Sequence, residues 1–81
     1  MENVLTVKQA AKALQTSEAV MYKIIDSGQI RFMRLGRIKI RESEFDSFVQ
    51  WLECKDMDTK TGEVTDQATG EVVTRFPEKV N

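Results

Sequence analysis

The sequence predicts a small α+β domain: two short helices joined by a tight turn, a two-stranded β-hairpin, a third helix and a polar tail. Three observations predict it. Apolar residues recur at helical spacing in three separate stretches, the period changes to two from Phe32 onward, and Gly28 and Gly36 stand where a helix end and a hairpin tip need them. With 81 residues the chain has room for one domain and little for a deep enclosed cleft.

The first helix is announced by Thr6, an N-cap, with Gln9 three residues later completing a capping box. Val7, Ala10, Ala11 and Leu14 then fall on one face and leave Lys8, Gln9 and Lys12 in water, predicting a helix from Val7 to about Leu14. Gln15 and Thr16 form a brief connection. Ser17 is a second N-cap, Met21, Ile24 and Ile25 give the apolar stripe, and Gly28 closes the helix in the left-handed conformation that glycine adopts without strain. Two helices on so short a link must turn sharply against each other, which is the helix-turn-helix arrangement.

The segment Leu35-Gly36-Arg37-Ile38 reads as a two-residue hairpin with glycine first in the loop. The implied register sets Leu35 opposite Ile38, Arg34 opposite Lys39, Met33 opposite Ile40 and Phe32 opposite Arg41. One face is then apolar and the other basic. Ser43 is the expected N-cap of the third helix with Asp46 as box partner, and Phe45, Phe48, Val49 and Leu52 form its inner stripe, with Trp51 half-buried beside it. The domain is expected to span residues 1–55. Residues 56–81 are expected to form an acidic tail, either flexible or a small hairpin: Thr61-Gly62-Glu63-Val64 recurs as Thr69-Gly70-Glu71-Val72, each copy a turn with glycine left-handed.

The chain has no histidine and one cysteine, Cys54, so neither a disulfide nor a Cys/His zinc cluster is expected within it, and no metal or cofactor is anticipated. No stretch approaches the ~20 apolar residues of a bilayer span and no basic-then-apolar leader opens the chain, so a cytoplasmic protein without membrane contact is expected. The net charge of −1 hides a division: nine bases against seven acids up to Lys55, then three against six. No acid lies between Asp26 and Glu42, while Arg31, Arg34, Arg37, Lys39 and Arg41 do. Cations facing one another across a hairpin cost stability unless an anion joins them, and a phosphate backbone supplies that anion for Arg34, Arg37 and Lys39. On the second helix Glu18, Ala19, Val20, Tyr22 and Lys23 are free to face outward. Ala19 and Val20 suit a thymine methyl, Glu18 a cytosine amino group, and Tyr22 and Lys23 phosphate.

These residues also carry a resemblance. Leu5 to Ala11, Ser17 with Tyr22 to Ile30, Arg34 to Ile40 and Ser43-Glu44-Phe45, in that order, resemble the excisionase-type, MerR-like helix-turn-helix family of phages, conjugative elements and bacterial regulators, from Val4 to about Leu52. The resemblance implies a winged fold whose second helix enters the major groove through Ala19, Val20, Tyr22 and Lys23. It also implies a wing bearing Arg34, Arg37 and Lys39, flanked by Arg41, along an adjacent minor groove. The expectation is a non-enzymatic, sequence-specific binder of double-stranded DNA, excisionase-like or a small transcription regulator of a mobile element, monomeric in solution. An integrase or other protein is a candidate partner for its tail. The rival is a protein-interaction adaptor that uses the apolar edge around Trp51 and Phe32.

Overall fold

The computed structural model describes residues 3–76. Its elements are β1 (Val4–Thr6), α1 (Val7–Ala13), α2 (Glu18–Asp26), β2 (Met33–Leu35), β3 (Arg37–Arg41), α3 (Glu42–Trp51), β4 (Lys55–Met57), β5 (Val64–Asp66) and β6 (Val72–Val73). Three helices and two small antiparallel sheets, ordered β1-β3-β2 and β4-β5-β6, make a small α+β fold.

The helix starts follow the local chemistry of the sequence. The Gln9 amide donates to Thr6 Oγ1 at 3.1 Å and the Thr6 amide to Gln9 Oε1 at 2.9 Å, so both halves of the capping box form. Ser17 Oγ accepts from the Val20 amide at 3.2 Å. Between the two helices Gln15 takes φ +56°, its amide donating to Lys12 O and that of Thr16 to Ala11 O, the paired closure usually built with glycine. A side chain there is strained, so Gln15→Gly is expected to raise stability by about 0.5–1 kcal/mol. Urea unfolding at unchanged m-value checks this.

Val7, Ala10 and Ala11 of α1 pack with Met21, Ile24 and Ile25 of α2, Ile30 of the following link, Ile40 of β3, and Phe45 and Phe48 of α3. The two alanines, small and fully buried, let α1 and α2 approach closely. Trp51 sits half-buried, its ring centroid 6.1 Å from that of Phe48 and 5.1 Å from Lys55 Nζ.

Three sequence expectations are corrected. First, the hairpin belongs to a three-stranded sheet, because β1 pairs with β3 as Val4↔Arg41, Leu5↔Ile40 and Thr6↔Lys39. Second, the hairpin register lies one residue away from the expected one: Met33↔Lys39, Arg34↔Ile38, Leu35↔Arg37, with Gly36 alone at the tip at φ +75°. β3 is fixed from both sides, by Leu5 opposite Ile40 and by the core beneath Ile40, whereas β2 is an edge strand and free to take the slip. The slip carries Met33 and Leu35 to the face shared by Arg37, Lys39 and Arg41, and brings Arg34 to the face of Ile38 and Ile40. Arg34 and Lys39 therefore do not oppose each other. The Arg34 guanidinium instead lies 5.6 Å from the Phe32 ring centroid. Third, α3 begins at Glu42, not after a Ser43 cap. Strand β3 runs straight into the helix, no side chain caps it, and the Glu42 amide donates to Asn3 O at 3.0 Å, so the neighbouring strand takes the place of a capping hydroxyl.

Beyond Lys55 the two repeats form two matching turns. In each, an aspartate amide donates to the carbonyl of a glutamate five residues on (Asp58 to Glu63 O at 2.8 Å, Asp66 to Glu71 O at 2.9 Å). The glycine amide returns to the aspartate carbonyl, the aspartate carboxylate accepts from the amide two residues on, and a threonine hydroxyl accepts from the glutamate amide. Gly62 and Gly70 are left-handed at φ +82° and +74°. Gly62 is also sterically required: a Cβ there would lie 3.0 Å from Ser27 Cβ and 3.2 Å from Lys23 O, because this turn rests on the end of α2.

The segment is clamped to the rest of the fold through Arg75. The Arg75 amide donates to Gln29 Oε1 at 2.7 Å, and its guanidinium to Gln29 O at 3.2 Å and to Glu44 at 2.5 and 3.3 Å. Glu44 also accepts from the Arg31 amide at 2.9 Å, and the Arg31 and Arg75 guanidinium groups both stack on the Phe76 ring, 4.5 and 4.7 Å from its centroid. The Arg75 and Glu44 side chains are only 11% and 15% exposed. Arg75→Met strands a nearly buried carboxylate and is expected to cost about 2–3 kcal/mol. A lower melting temperature, together with faster hydrogen exchange at Thr65 and Val72, checks it. Residues 77–81 of the anticipated tail lie outside the described residues.

Candidate functional site

The helical period of α2 leaves Glu18, Ala19, Tyr22, Lys23 and Asp26 exposed once Met21, Ile24 and Ile25 are committed to the core. Val20 is different. It is half-buried against that core, so only its edge is offered outward. Tyr22 is 45% exposed with its ring at the surface.

An open groove of about 620 Å³ lies between α2 and the β2–β3 hairpin, lined by Thr6, Val7, Lys8, Glu18, Tyr22, Arg34, Arg37 and Ile38. It brings together Glu18 and Tyr22 from the helix with Arg34 and Arg37 from the hairpin. The register slip produces this meeting: opposite Ile38 rather than Lys39, Arg34 stands on the sheet face that turns toward the helices. Lys8 completes the cationic side of the groove and was not among the residues singled out in the sequence. Its signal was present, since it is an exposed base in the first turn of a capped helix, but nothing in the chain's order shows that this end of α1 abuts the hairpin.

The other candidates lie elsewhere. Ala19 and Lys23 are exposed on α2 but outside the groove. Lys39 is half-buried in the central strand between Thr6 and Met33, on the outer face of the sheet. Arg41 lines a smaller depression of about 190 Å³ with Arg31, Phe32, Met33, Ser43, Glu44 and Ser47, near the start of α3. Of the hairpin's basic residues, Arg34 on the inner face and Arg37 beside the tip line the groove, whereas Lys39 and Arg41, farther along the outer face, do not.

Three cations, Lys8, Arg34 and Arg37, outnumber the single carboxylate of Glu18 around the groove, so it attracts anions. Glu18 itself sits in the first turn of α2, where a negative charge complements the helix dipole. Among the described residues no three His, Cys, Asp or Glu side chains gather as a metal site, and no helix is long and apolar enough to cross a membrane.

Comparison with known proteins places a family model, described as a helix-turn-helix domain, over residues 4–50. That span runs from β1 to the last turn of α3 and contains the whole groove. No curated protein and no solved structure matches the chain.

Proposed function

Because the chain belongs to the helix-turn-helix domain family, we propose that it is a non-enzymatic, sequence-specific binder of double-stranded DNA, with residues 1–55 as the binding domain and the following segment attached to it. The observation that carries this reading is the shared groove. An exposed helix face and two hairpin arginines border one open, cationic concavity, as a helix in the major groove and a wing on the flanking backbone require. In this reading Glu18, Ala19, Tyr22 and Lys23, with the edge of Val20, meet base edges and nearby phosphates. Arg34 and Arg37 hold the backbone beside them, with Lys8 as an added phosphate contact. Lys39 and Arg41 lie outside the groove and contribute long-range attraction more than contact.

The biological role proposed is that of an excisionase-like architectural factor or a small transcription regulator of a mobile element, acting as a monomer at each site, with an integrase among the possible protein partners. A footprint on the DNA around the protein's own gene separates the two roles: direct repeats beside a recombination end favour excision, a promoter operator favours regulation. DNA binding itself is tested by salt. Neutralising three or four phosphates through Lys8, Lys23, Arg34 and Arg37 gives a log-log slope of about −3 to −3.5. Binding that barely changes between low and moderate salt would remove the proposal and return attention to a protein partner.

A further inference from the structure

The tip of the hairpin presents an apolar side chain where the site just described needs charge. Leu35 is 65% exposed, the most exposed large hydrophobic residue among those described. A single exposed leucine is ordinary on a protein surface. What distinguishes this one is its setting: it adjoins Gly36, which has φ +75° and nothing within 4 Å of the place a Cβ would occupy, so the tip is slim and unobstructed. Arg34 and Arg37 flank it, and Lys39 stands one pair back on its own face. The nearest exposed aliphatic on that face, Val4, sits across the sheet beside Arg41, at the other end of the strand pairing. Leu35 is thus the outermost apolar residue of the tip, with half-buried Met33 behind it and Arg37 and Lys39 beside it on its own face.

We propose that Leu35 is a wedge that enters the DNA minor groove and parts a base step there, bending the duplex. This inference rests on the DNA-binding reading above and adds a residue and a specificity to it. The minor groove fits the pattern of the tip. Its walls are phosphates, which match Arg34 and Arg37, and its floor is base edge, against which an aliphatic side chain loses water without losing a hydrogen bond. A protein partner for the same tip would need an apolar pocket rimmed with acids. A duplex presents that combination wherever the hairpin lies across it. Pyrimidine–purine steps part most easily and A·T-rich minor grooves draw arginine most strongly, so the wedge favours a TA step within an A·T-rich stretch beside the site read by α2.

The test uses the full chain and a duplex recovered by it from a random 20-base-pair pool, labelled at both ends for energy transfer. The wild-type protein is expected to shorten the end-to-end distance. Leu35→Ala is expected to restore the length of free DNA and to weaken binding about 10- to 30-fold, the value of losing one buried aliphatic side chain, with an unchanged salt slope. Leu35→Met, which keeps an apolar tip, is expected to keep the bend. Because Leu35 is largely exposed and lies outside the core cluster, an unchanged melting temperature is expected and separates these effects from unfolding. A Leu35→Ala protein that binds within twofold of wild type and bends DNA equally overturns the wedge and leaves the DNA-binding reading standing, as does a tightly bound wild-type complex with no bend. Failure of the wild-type protein to enrich any duplex overturns both.

Discussion

Replacing Arg34 and Arg37 together by alanine is expected to lower affinity for duplex DNA about 30- to 100-fold near 0.1 M salt and to flatten the log-log salt slope by about 2. Both guanidinium groups border the groove shared with Glu18 and Tyr22, and neither is held in an ion pair among the described residues. Each therefore meets phosphate without first breaking a strong internal contact, beyond the weak stacking of Arg34 on Phe32. The companion measurement is Lys39→Ala with Arg41→Ala, which removes the same formal charge from the outer face of the sheet. The account expects that pair to cost less than about fivefold, through long-range attraction alone. Equal losses from the two double variants would mean that the hairpin acts only as a diffuse positive charge, and the groove would lose its meaning as a site.

The second large effect is on stability. Phe48→Ala removes a fully buried ring from the middle of α3, where it closes the core over α1, α2 and β3. Truncating a buried phenylalanine costs about 3–5 kcal/mol, a large part of the roughly 4–12 kcal/mol that a chain of this length can hold. At about 4–8 °C per kcal/mol for a domain of this size, the melting temperature is expected to fall by some 15–30 °C. Trp51→Ala, three residues on and half-buried, is expected to cost no more than half as much. A melting curve for Phe48→Ala that overlays wild type would show that α3 does not form the lid of this core.

Much of the local structure was legible because it rests on short-range chemistry. The Thr6–Gln9 box, the Ser17 cap, the left-handed Gly28 and the paired aspartate–glycine turns each depend on residues within five of one another. What escaped the sequence depends on distant partners. The inward side of β3 was read correctly and is held by Leu5 in β1, far away in the chain, but β2 is an edge strand whose register the loop residues alone did not fix. The α3 cap was sought in Ser43 because hydroxyls usually supply it, but the carbonyl of Asn3 arrives across the sheet instead. Arg75 looked like one base in an acidic run, and only folding shows that it closes on Gln29 and Glu44, forty-six and thirty-one residues away. The candidate site was legible to the same extent. Periodicity identified the outward face of α2, apart from Val20, which the core draws in. That Arg34 turns to the inner face, away from Arg37, Lys39 and Arg41, follows from the register of β2 and was out of reach.

Joint action of α2 and the hairpin on DNA is read by amide NMR during titration with a duplex at low salt. The account predicts that resonances of Glu18, Ala19, Tyr22, Lys23, Arg34 and Arg37 shift together and saturate at one stoichiometry, while those of Gly70 and Val72 on the distant turn and strand stay in place. Shifts confined to the outer face around Lys39 and Arg41, or no shifts at all, would contradict it.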